Sequence, residues 1–467
     1  MNEPQIGGKI RRLRRQRHLT QSDLAQSIGI SASYLNLIEH NRRKITVPLL
    51  FKISGYFGIE PGELAESDDS QLIGDLMEIF GDDLFADSDV TNQEIRDLAF
   101  SNPVAARAVL RLFDRYQSLS QDRADISTED QNEPYHRATD AISDFLQENA
   151  NYFPPLEEAA GRVREDIENS SAGNLEQGLR AWLENISGTQ VQLSSMPHGI
   201  ARRMSEDGSI LHISDILPAE TANFAIAHHI GLLAAENVIG DIILSSTLPE
   251  QDAPELARNV LVSYFAAALI MPYAPFLQAC TDYRYDIERI ARHFGASFEQ
   301  VCHRMTTLQR PGASGVPLHL VRTDIAGNIS KRFSLSGIHI PRHSGACPRW
   351  NIYSAFLAPG RINVQLSQMP DGEIYFCIAR SFEKGDYRHN APRRHLSIGL
   401  GCHASNAHRM IYSDGMDLNS KTQTVPIGVG CRICPRKECE QRAHPPAGHR
   451  FHLVDTERAE SFYGRIG

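Results

Sequence analysis

Helix caps and a glycine turn near the N-terminus constrain the fold of this chain more than any other sequence feature. Thr20 precedes a helical apolar repeat, and Asp23 follows three residues later, where a negative charge favours a helix start. Gly29 ends this helix, because glycine adopts the left-handed angles of a sharp turn, and Ser31 caps the next one. The pattern predicts short helices packed through the apolar residues Ile10, Leu13, Leu19, Leu24, Ile28, Leu35 and Ile38.

The second capped helix is expected to present an outward face that suits the major groove of double-stranded DNA. Gln21 and three basic residues would contact the phosphate backbone. The whole expected interface is Gln21, Ser31, Ser33, Tyr34, Asn36, Arg42, Arg43 and Lys44. A helical hairpin with a solvated basic face is the alternative. The stretch QSDLAQSIGISASYLNLIEHNRR resembles the helix-turn-helix family of phage repressors and xenobiotic-response-element regulators, and the resemblance implies an operator DNA partner.

Charge is divided unevenly along the chain. Residues 1–64 hold ten Lys and Arg against five Asp and Glu, although the whole chain carries a net charge of −10. Residues 65–100 hold eleven acidic residues, with Arg96 alone opposing them. Only the N-terminal segment therefore suits a polyanion, and the acidic segment is typical of a solvated linker or helix face.

The length of 467 residues is too great for one hydrophobic core. We predict a multidomain protein. Its N-terminal half is mainly α-helical, with a helix-turn-helix, a helical arm and a zincin-like degenerate domain, and an α+β part follows. The predicted domains are a DNA-binding domain at 1–65, an acidic linker and helical arm at 66–152, a degenerate metallopeptidase-like domain at 153–310, an α+β ligand-binding region at 311–400 and a cysteine-rich region at 401–467.

The helical arm is expected to carry the contacts of a homodimer or higher homo-oligomer, because near-palindromic operators mirror protein two-fold symmetry. The alternative is that it only braces the next domain. The sequence shows neither a signal peptide nor an apolar run long enough to cross a bilayer, so we expect a cytoplasmic protein with no membrane partner.

The segment NFAIAHHIGLLAA resembles the helix of zinc peptidases that carries His-Glu-x-x-His. His228 stands at the first ligand position, His229 replaces the glutamate and Leu232 replaces the second histidine. The later segment ARNVLVSYFAAALIMPY resembles the second helix of the same family but offers no carboxylate. Because a catalytic zinc needs three protein ligands and a base, we predict a peptidase-like fold without peptidase chemistry, whose cleft can hold a ligand.

Eight cysteines all follow residue 279, and three of them form a dense group. Cys431, Cys434 and Cys439 stand as C-x2-C-x4-C, and Cys402 lies 29 residues before the first of them as the expected fourth ligand. This spacing suits a 4Fe-4S cluster, zinc, or ordinary thiols. His403, His408, His444 and His449 keep a Cys/His zinc site open, whereas Cys280, Cys302, Cys347 and Cys377 are expected to be buried structural thiols.

The C-terminal blocks GNISKRFS, ACPRWN and CRICPRKECEQRAHPP, together with VSYFAAALIMPYAPFLQAC and RYDIERIARHFGASFEQVCHRMTTLQRPG, resemble the short-chain fatty-acyl transcriptional regulators of propionate and glyoxylate metabolism. The resemblance implies an acyl-CoA effector and a tail that holds an iron–sulfur cluster. Coenzyme A needs cations for its phosphates and apolar or aromatic walls for its other parts. The residues expected to provide them are Arg203, Tyr264, Lys331, Arg332, Phe333, Arg349 and Trp350. Surface cations lying over an apolar sheet are the alternative.

The sequence thus predicts a DNA-binding regulator of short-chain, propionate-type acyl-CoA metabolism that is not an enzyme. In this hypothesis acyl-CoA controls DNA binding, with a cluster as a possible second control. One alternative is a redox-sensing iron–sulfur transcription factor without an acyl-CoA ligand. A residual metallopeptidase is the other, and the missing carboxylates argue against it.

Overall fold

The computed structural model describes residues 7–16, 19–39, 43, 45–57, 70–85, 90–124, 133–170, 174–197, 199–248, 252–342, 345–385, 393–418, 420, 422–431 and 434–444. The chain divides into two compact units, Met1–Ser127 and Thr128–Gly467. The division falls inside the predicted helical arm. The five domain boundaries given above stay predictions.

The smaller unit is helical where it is described. Helices α1 to α7 are Gly7–Gln16, Gln21–Ile28, Ala32–Glu39, Val47–Phe57, Ser70–Phe80, Asn92–Ser101 and Pro103–Ala124. One core joins α1 to α4 through Ile10, Leu24, Leu35 and Ile53, all of them fully buried. A second core joins α5, α6 and α7. The apolar residues predicted for the inner faces are buried, except that Leu13 and Leu19 are half-buried.

The larger unit begins with helices and continues into strands. Its helices α8 to α17 are Glu133–Glu148, Pro154–Ser170, Leu175–Ser187, Ala219–Ala234, Glu236–Leu244, Ala253–Ile270, Tyr273–Asp282, Ile287–Phe294, Phe298–Thr306 and Asn351–Ser354. Its strands β1 to β11 are Gln190–Ser194, Arg202–Met204, Ile210–Ser214, Gln309–Arg310, Ala313–Ser314, Leu318–Asp324, Ile329–Ser334, Asn363–Gln368, Ile374–Gly385, Arg393–His403 and Thr424–Pro426.

Three sheets are formed by the described strands. A small sheet has the order β1-β3-β2, and β4 pairs only with β5. A six-stranded sheet has the order β11-β8-β9-β10-β6-β7 and is antiparallel except for the β11–β8 pair. This sheet is central to the larger unit, because hydrophobic residues are buried on both of its faces.

Alternation along the strands gives the two faces of the six-stranded sheet different partners. Phe376, Ile378 and Leu400 join the large helical core, and we call this side the helix face. Residues one position away, such as Cys377, pack with Trp350 and Cys347 in a second core, and we call this side the cysteine face.

The predicted fold class is confirmed: a helical N-terminal half precedes an α+β C-terminal part. Within the described residues, no single helix has the length and apolar composition to span a membrane. Two sharply bent helix pairs, α11 with α12 and α13 with α14, meet that test only when taken together.

Candidate functional sites

Local capping defines the first candidate site, which is the pair α2 and α3. Thr20 Oγ1 accepts a hydrogen bond from the backbone N–H of Asp23, and the Asp23 carboxylate accepts one from the Thr20 N–H at 3.0 Å. Gly29 follows with φ 72°, in the left-handed region that a Cβ disfavours. Ser31 Oγ then accepts from the N–H of Tyr34 at 3.1 Å. The capping predicted for both helices is therefore present.

A buried ion pair holds α3 against the preceding helices. Arg14 donates to both carboxylate oxygens of Glu39, at 2.6 and 2.9 Å, and also to the carbonyl of Leu19. Gln21 donates its side-chain amide to the same carboxylate at 2.7 Å. The predicted contact of this amide with the DNA backbone stays a prediction. The buried carboxylate needs donors, and Gln21 supplies one.

The outward face of α3 is polar and accessible. Ser33 and Asn36 are exposed, and Leu37 beside them is 39% exposed. Tyr34 is half-buried against the core, and the Arg43 guanidinium lies 5.4 Å from its ring centroid. Two further predicted phosphate contacts, Arg42 and Lys44, lie outside the described residues. That Ser33 and Asn36 contact base edges stays a prediction, which their exposure permits.

An arginine bridges the two histidines of the peptidase-like helix. Arg202 on β2 donates to Nδ1 of His228 at 2.9 Å and to Nδ1 of His229 at 3.0 Å. Because arginine only donates, both Nδ1 atoms accept, and the ring protons are on Nε2. His228 Nε2 then donates to the side-chain oxygen of Asn259 on α13 at 3.1 Å. The two imidazoles therefore hold a cation of the chain itself.

Burial and the charge of Arg202 keep both histidines neutral. They lower the pKa of His228 to about 4 and also lower the pKa of His229. No carboxylate takes part in this group of four side chains. These four side chains therefore offer no carboxylate as the base of a metal-assisted hydrolysis.

The predicted ligand residues in the peptidase-like region have other positions than expected. Arg203 is exposed on β2, and its neighbour Arg202 has the inward position. Tyr264 is buried, and its hydroxyl donates to Glu157 at 2.6 Å. The same carboxylate receives two bonds from Arg304, whose side chain is fully buried. Tyr264 thus belongs to a buried polar cluster, which corrects its assignment to an open ligand wall.

The predicted basic–aromatic unit on β7 is divided between the two faces of the sheet. Lys331 and Phe333 lie on the helix face, where Phe333 is 7% exposed. Arg332 points the other way and pairs with Asp140 at 2.7 Å. Alternation along a strand makes this division unavoidable.

The second predicted unit is on the cysteine face. Trp350 is buried there against the ring of His319, whereas Arg349 is half-exposed. Among the seven predicted ligand residues that the structure describes, no single pocket gathers all of them.

Three of the four predicted cysteine ligands lie together. The Cys434 N–H donates to the Cys431 carbonyl at 3.4 Å, and burial first, and then the charge of Cys439, raise the pKa of Cys434. Cys347 joins them: burial first, and then Cys431 and Cys434, raise the pKa of its thiol. We call these four residues the thiol cluster.

The position of Cys402 contradicts its predicted role as the fourth ligand. Cys402 is fully buried on the helix face, its sulfur lies 3.8 Å from that of Met410, and burial raises its pKa to about 12. Cys347, which the sequence suggested to be a structural thiol, occupies the opposite side. The available signal was the repeated Cys-Pro pair, since Cys347 and Cys434 are both followed by proline.

Comparison with known families divides the chain into three matched regions. Residues 10–64 match a helix-turn-helix model, residues 185–306 match the IrrE N-terminal-like domain, and residues 307–463 match the model described as short-chain fatty acyl coenzyme A regulator, C-terminal. The resemblance proposed from the sequence motifs is thereby confirmed.

Curated relatives cover nearly the whole chain. The HTH-type transcriptional regulator RamB of Mycobacterium tuberculosis is 34% identical over 99% of both chains. The propionyl-CoA carboxylase regulator of Cereibacter sphaeroides is 37% identical over 97% of this chain and 96% of its own. A solved structure of a Mycobacterium tuberculosis transcriptional regulator superposes with a TM-score of 0.66 at 36% identity, over 70% of this chain and 99% of that one.

Proposed function

Since the chain belongs to the family of short-chain fatty acyl coenzyme A regulators and is a DNA-binding transcriptional regulator rather than an enzyme, we propose that a propionyl-type acyl-CoA controls its affinity for DNA. The larger unit would bind the thioester, and the smaller unit would read the operator. Its place of action would be the cytoplasm, where bacterial operators are found.

The observation that carries this proposal is the arginine between the two histidines. Arg202 donates to Nδ1 of both histidines, Asn259 accepts from Nε2 of His228, and none of these four side chains is a carboxylate. A unit that keeps a peptidase-like fold but places an arginine and an asparagine beside its histidines, without a carboxylate in that group, is suited to binding instead of hydrolysis. The exposed polar face of α3 would bind the operator DNA.

Control by a ligand requires two states with different affinities for it. A thioester that binds one state of the larger unit more tightly would shift the population toward that state, and it would change DNA affinity by the same factor by which DNA changes the affinity for the thioester. A matched titration tests this. Operator DNA carrying a fluorophore is titrated with full-length protein, without ligand and with saturating propionyl-CoA, acetyl-CoA or free coenzyme A. A change in apparent Kd with propionyl-CoA only is expected, and identical curves would refute acyl-CoA control.

We expect the protein to bind DNA as a homodimer. On α7, Val104, Ala108, Leu112 and Tyr116 recur every four residues and form one apolar stripe. Val104 and Leu112 are each 70% exposed, and Tyr116 is 43% exposed. Pairing of two such stripes would place two reading heads on a palindromic operator. Light scattering of L112E, with Arg107→Glu as the control, should show a lower mass for L112E alone.

We propose an iron–sulfur group rather than zinc for the thiol cluster. Tetrahedral zinc, with bonds of about 2.3 Å, would bring the sulfurs to about 3.8 Å from one another. Within the described residues, no three cysteine sulfurs lie within 4.8 Å of one another. Gly428 leaves the space, since a Cβ there would lie 2.8 Å from the Cys434 sulfur.

Two arginines supply positive charge beside the thiolates. Arg442 donates to the Cys434 carbonyl at 3.3 Å, and Arg436 lies next to it. Arg442 Nε is buried without a hydrogen-bond acceptor among the described residues, so it can serve a sulfide. We infer that Cys347, Cys431, Cys434 and Cys439 hold a 4Fe-4S cluster, which would supply a one-electron couple.

Redox control is the second candidate function, and this cluster supports it. Anaerobic and aerated protein, both free of thioester, would then differ in operator affinity. Equal affinities, together with a protein that contains iron, would limit the cluster to a structural role.

A further inference from the structure

Three basic side chains converge on the helix face of the six-stranded sheet. Arg322 on β6 is directly opposite Lys331 on β7, so that both side chains lie on one face. Lys384 on β9 shares that face, because it lies four residues from Arg380 in the row that contains Arg322. We call Arg322, Lys331 and Lys384 the basic cluster.

Helix α16 places one carboxylate and one imidazole against the basic cluster. Glu299 accepts a hydrogen bond from Arg322 at 2.7 Å and forms an ion pair with Lys384. The Lys331 ammonium lies 3.5 Å from Nε2 of His303 and forms no ion pair with a carboxylate among the described residues. Burial, and then Lys331, lower the pKa of His303 to about 4, so it is uncharged at neutral pH. Three positive charges therefore face one negative charge.

This excess is unusual within the same sheet. Arg332 pairs with Asp140 at 2.7 Å and Arg380 with Glu288 at 3.0 Å, each cation with its own carboxylate. At the basic cluster, burial and then Arg322 lower the pKa of Lys331 to about 8, against the pull of Glu299. Like charges held this close repel one another unless a further anion joins them. The side chains of Arg322 and Lys384 are 19% and 44% exposed, so such an anion can reach them from solvent.

We propose that the basic cluster binds a phosphate group of a small anionic ligand. Arg322 presents a planar fork and the two lysines present point charges, which together suit the oxygen atoms of a phosphate or pyrophosphate. Glu299 sets the position of Arg322 and Lys384, and His303 does so for Lys331. The phosphates of an acyl-CoA are the expected source, and to that extent the inference rests on the proposed function. A free phosphorylated metabolite is the other source of the same chemistry.

Calorimetric titration of the full-length protein tests the site with three probes: propionyl-CoA, S-propionylpantetheine, which has no phosphate, and inorganic pyrophosphate. The variants are K331Q and K384Q. Arg162→Gln removes one exposed cation from α9 and is the matched control. We expect each cluster variant to weaken propionyl-CoA binding by about 10-fold, with no change for the pantetheine thioester or for the control. Unfolding midpoints verify that each variant is folded, and K384Q alone tests the site if K331Q does not fold.

The outcomes separate this site from the proposed effector. Binding of pyrophosphate that both variants weaken, without any binding of propionyl-CoA, would support the site and refute the effector. Equal binding of propionyl-CoA to the wild type and both variants would keep the effector and overturn the site. Loss of ligand-free operator binding in K331Q and K384Q, with unchanged titrations of all three probes, would assign these cations to DNA and also overturn it.

Discussion

Replacement of Arg304 by Met should strongly destabilise the larger unit. Its guanidinium is fully buried and donates to both oxygens of Glu157, to the carbonyl of Met271 and to Thr307. Removing one partner of a buried pair leaves an uncompensated charge, which costs about 3–5 kcal/mol. The Glu157 side chain is only 4% exposed, so solvent screening relieves little of this cost.

The double variant R304M/E157Q isolates the pair itself. The glutamine keeps an acceptor for the Tyr264 hydroxyl but carries no charge. The loss of unfolding free energy in the double variant should therefore be about 2 kcal/mol smaller than the sum of the losses in the two single variants. R258M is the surface control, because Arg258 pairs with Glu236 at side-chain exposures of 48% and 66%. Such pairs contribute at most about 1 kcal/mol.

Urea unfolding followed by tryptophan fluorescence reports the free energy of unfolding of the larger unit, which contains the substituted residues. The chain has two tryptophans, Trp182 and Trp350, and both belong to the larger unit. If R304M is no less stable than R258M, or if the two single effects simply add, then the charge of Glu157 is compensated by some other group and the reasoning fails.

Three further predictions concern the reading helix, the thiols and the histidine pair. Asn36→Ala should weaken specific operator binding by about 1–3 kcal/mol in an anisotropy titration while leaving binding to random DNA unchanged, and equal losses on both DNAs would refute the assignment. In anaerobically purified protein, C347S should lose iron and the broad absorbance near about 400 nm, whereas C402S should keep both; the reverse result would restore the sequence-based ligand set. The folded-state pKa of His228, about 4, is below its ordinary value, so only the unfolded state binds this proton between about pH 6.5 and 4, and the free energy of unfolding should fall as pH falls through that window. In R202M this pH-dependent loss should be smaller, because one cause of the lowered pKa is gone, and parallel pH profiles for R202M and the wild type would contradict this.

The helix-turn-helix could be predicted from the sequence because its signals are local. Thr20, Asp23, Gly29 and Ser31 act on neighbours three or four residues away, and their geometry agrees with the prediction. The Arg14–Glu39 pair was missed because 25 residues separate its members. The bond from Gln21 to Glu39 was missed for the same reason, since only the folded helices bring the two residues together.

The ligand residues were harder to predict because strand faces alternate at every residue. An error of one position exchanges the two faces, which is the difference between Arg203 and Arg202 on β2. The same rule puts Cys402 on the helix face while the thiol cluster lies on the other side. Cys347 is 84 residues from Cys431 in the chain, and only tertiary packing makes them neighbours.

A single layer of backbone, the six-stranded sheet, separates the proposed phosphate site on its helix face from the proposed metal site on its cysteine face. Strand β9 contributes to both faces, since Lys384 lies on the helix face and Cys377 lies on the cysteine face. Alternate residues of β9 therefore face different proposed sites. In saturation mutagenesis along this strand, substitutions on the helix face should affect the response to the phosphate ligand, and substitutions on the cysteine face should affect the response to oxidation.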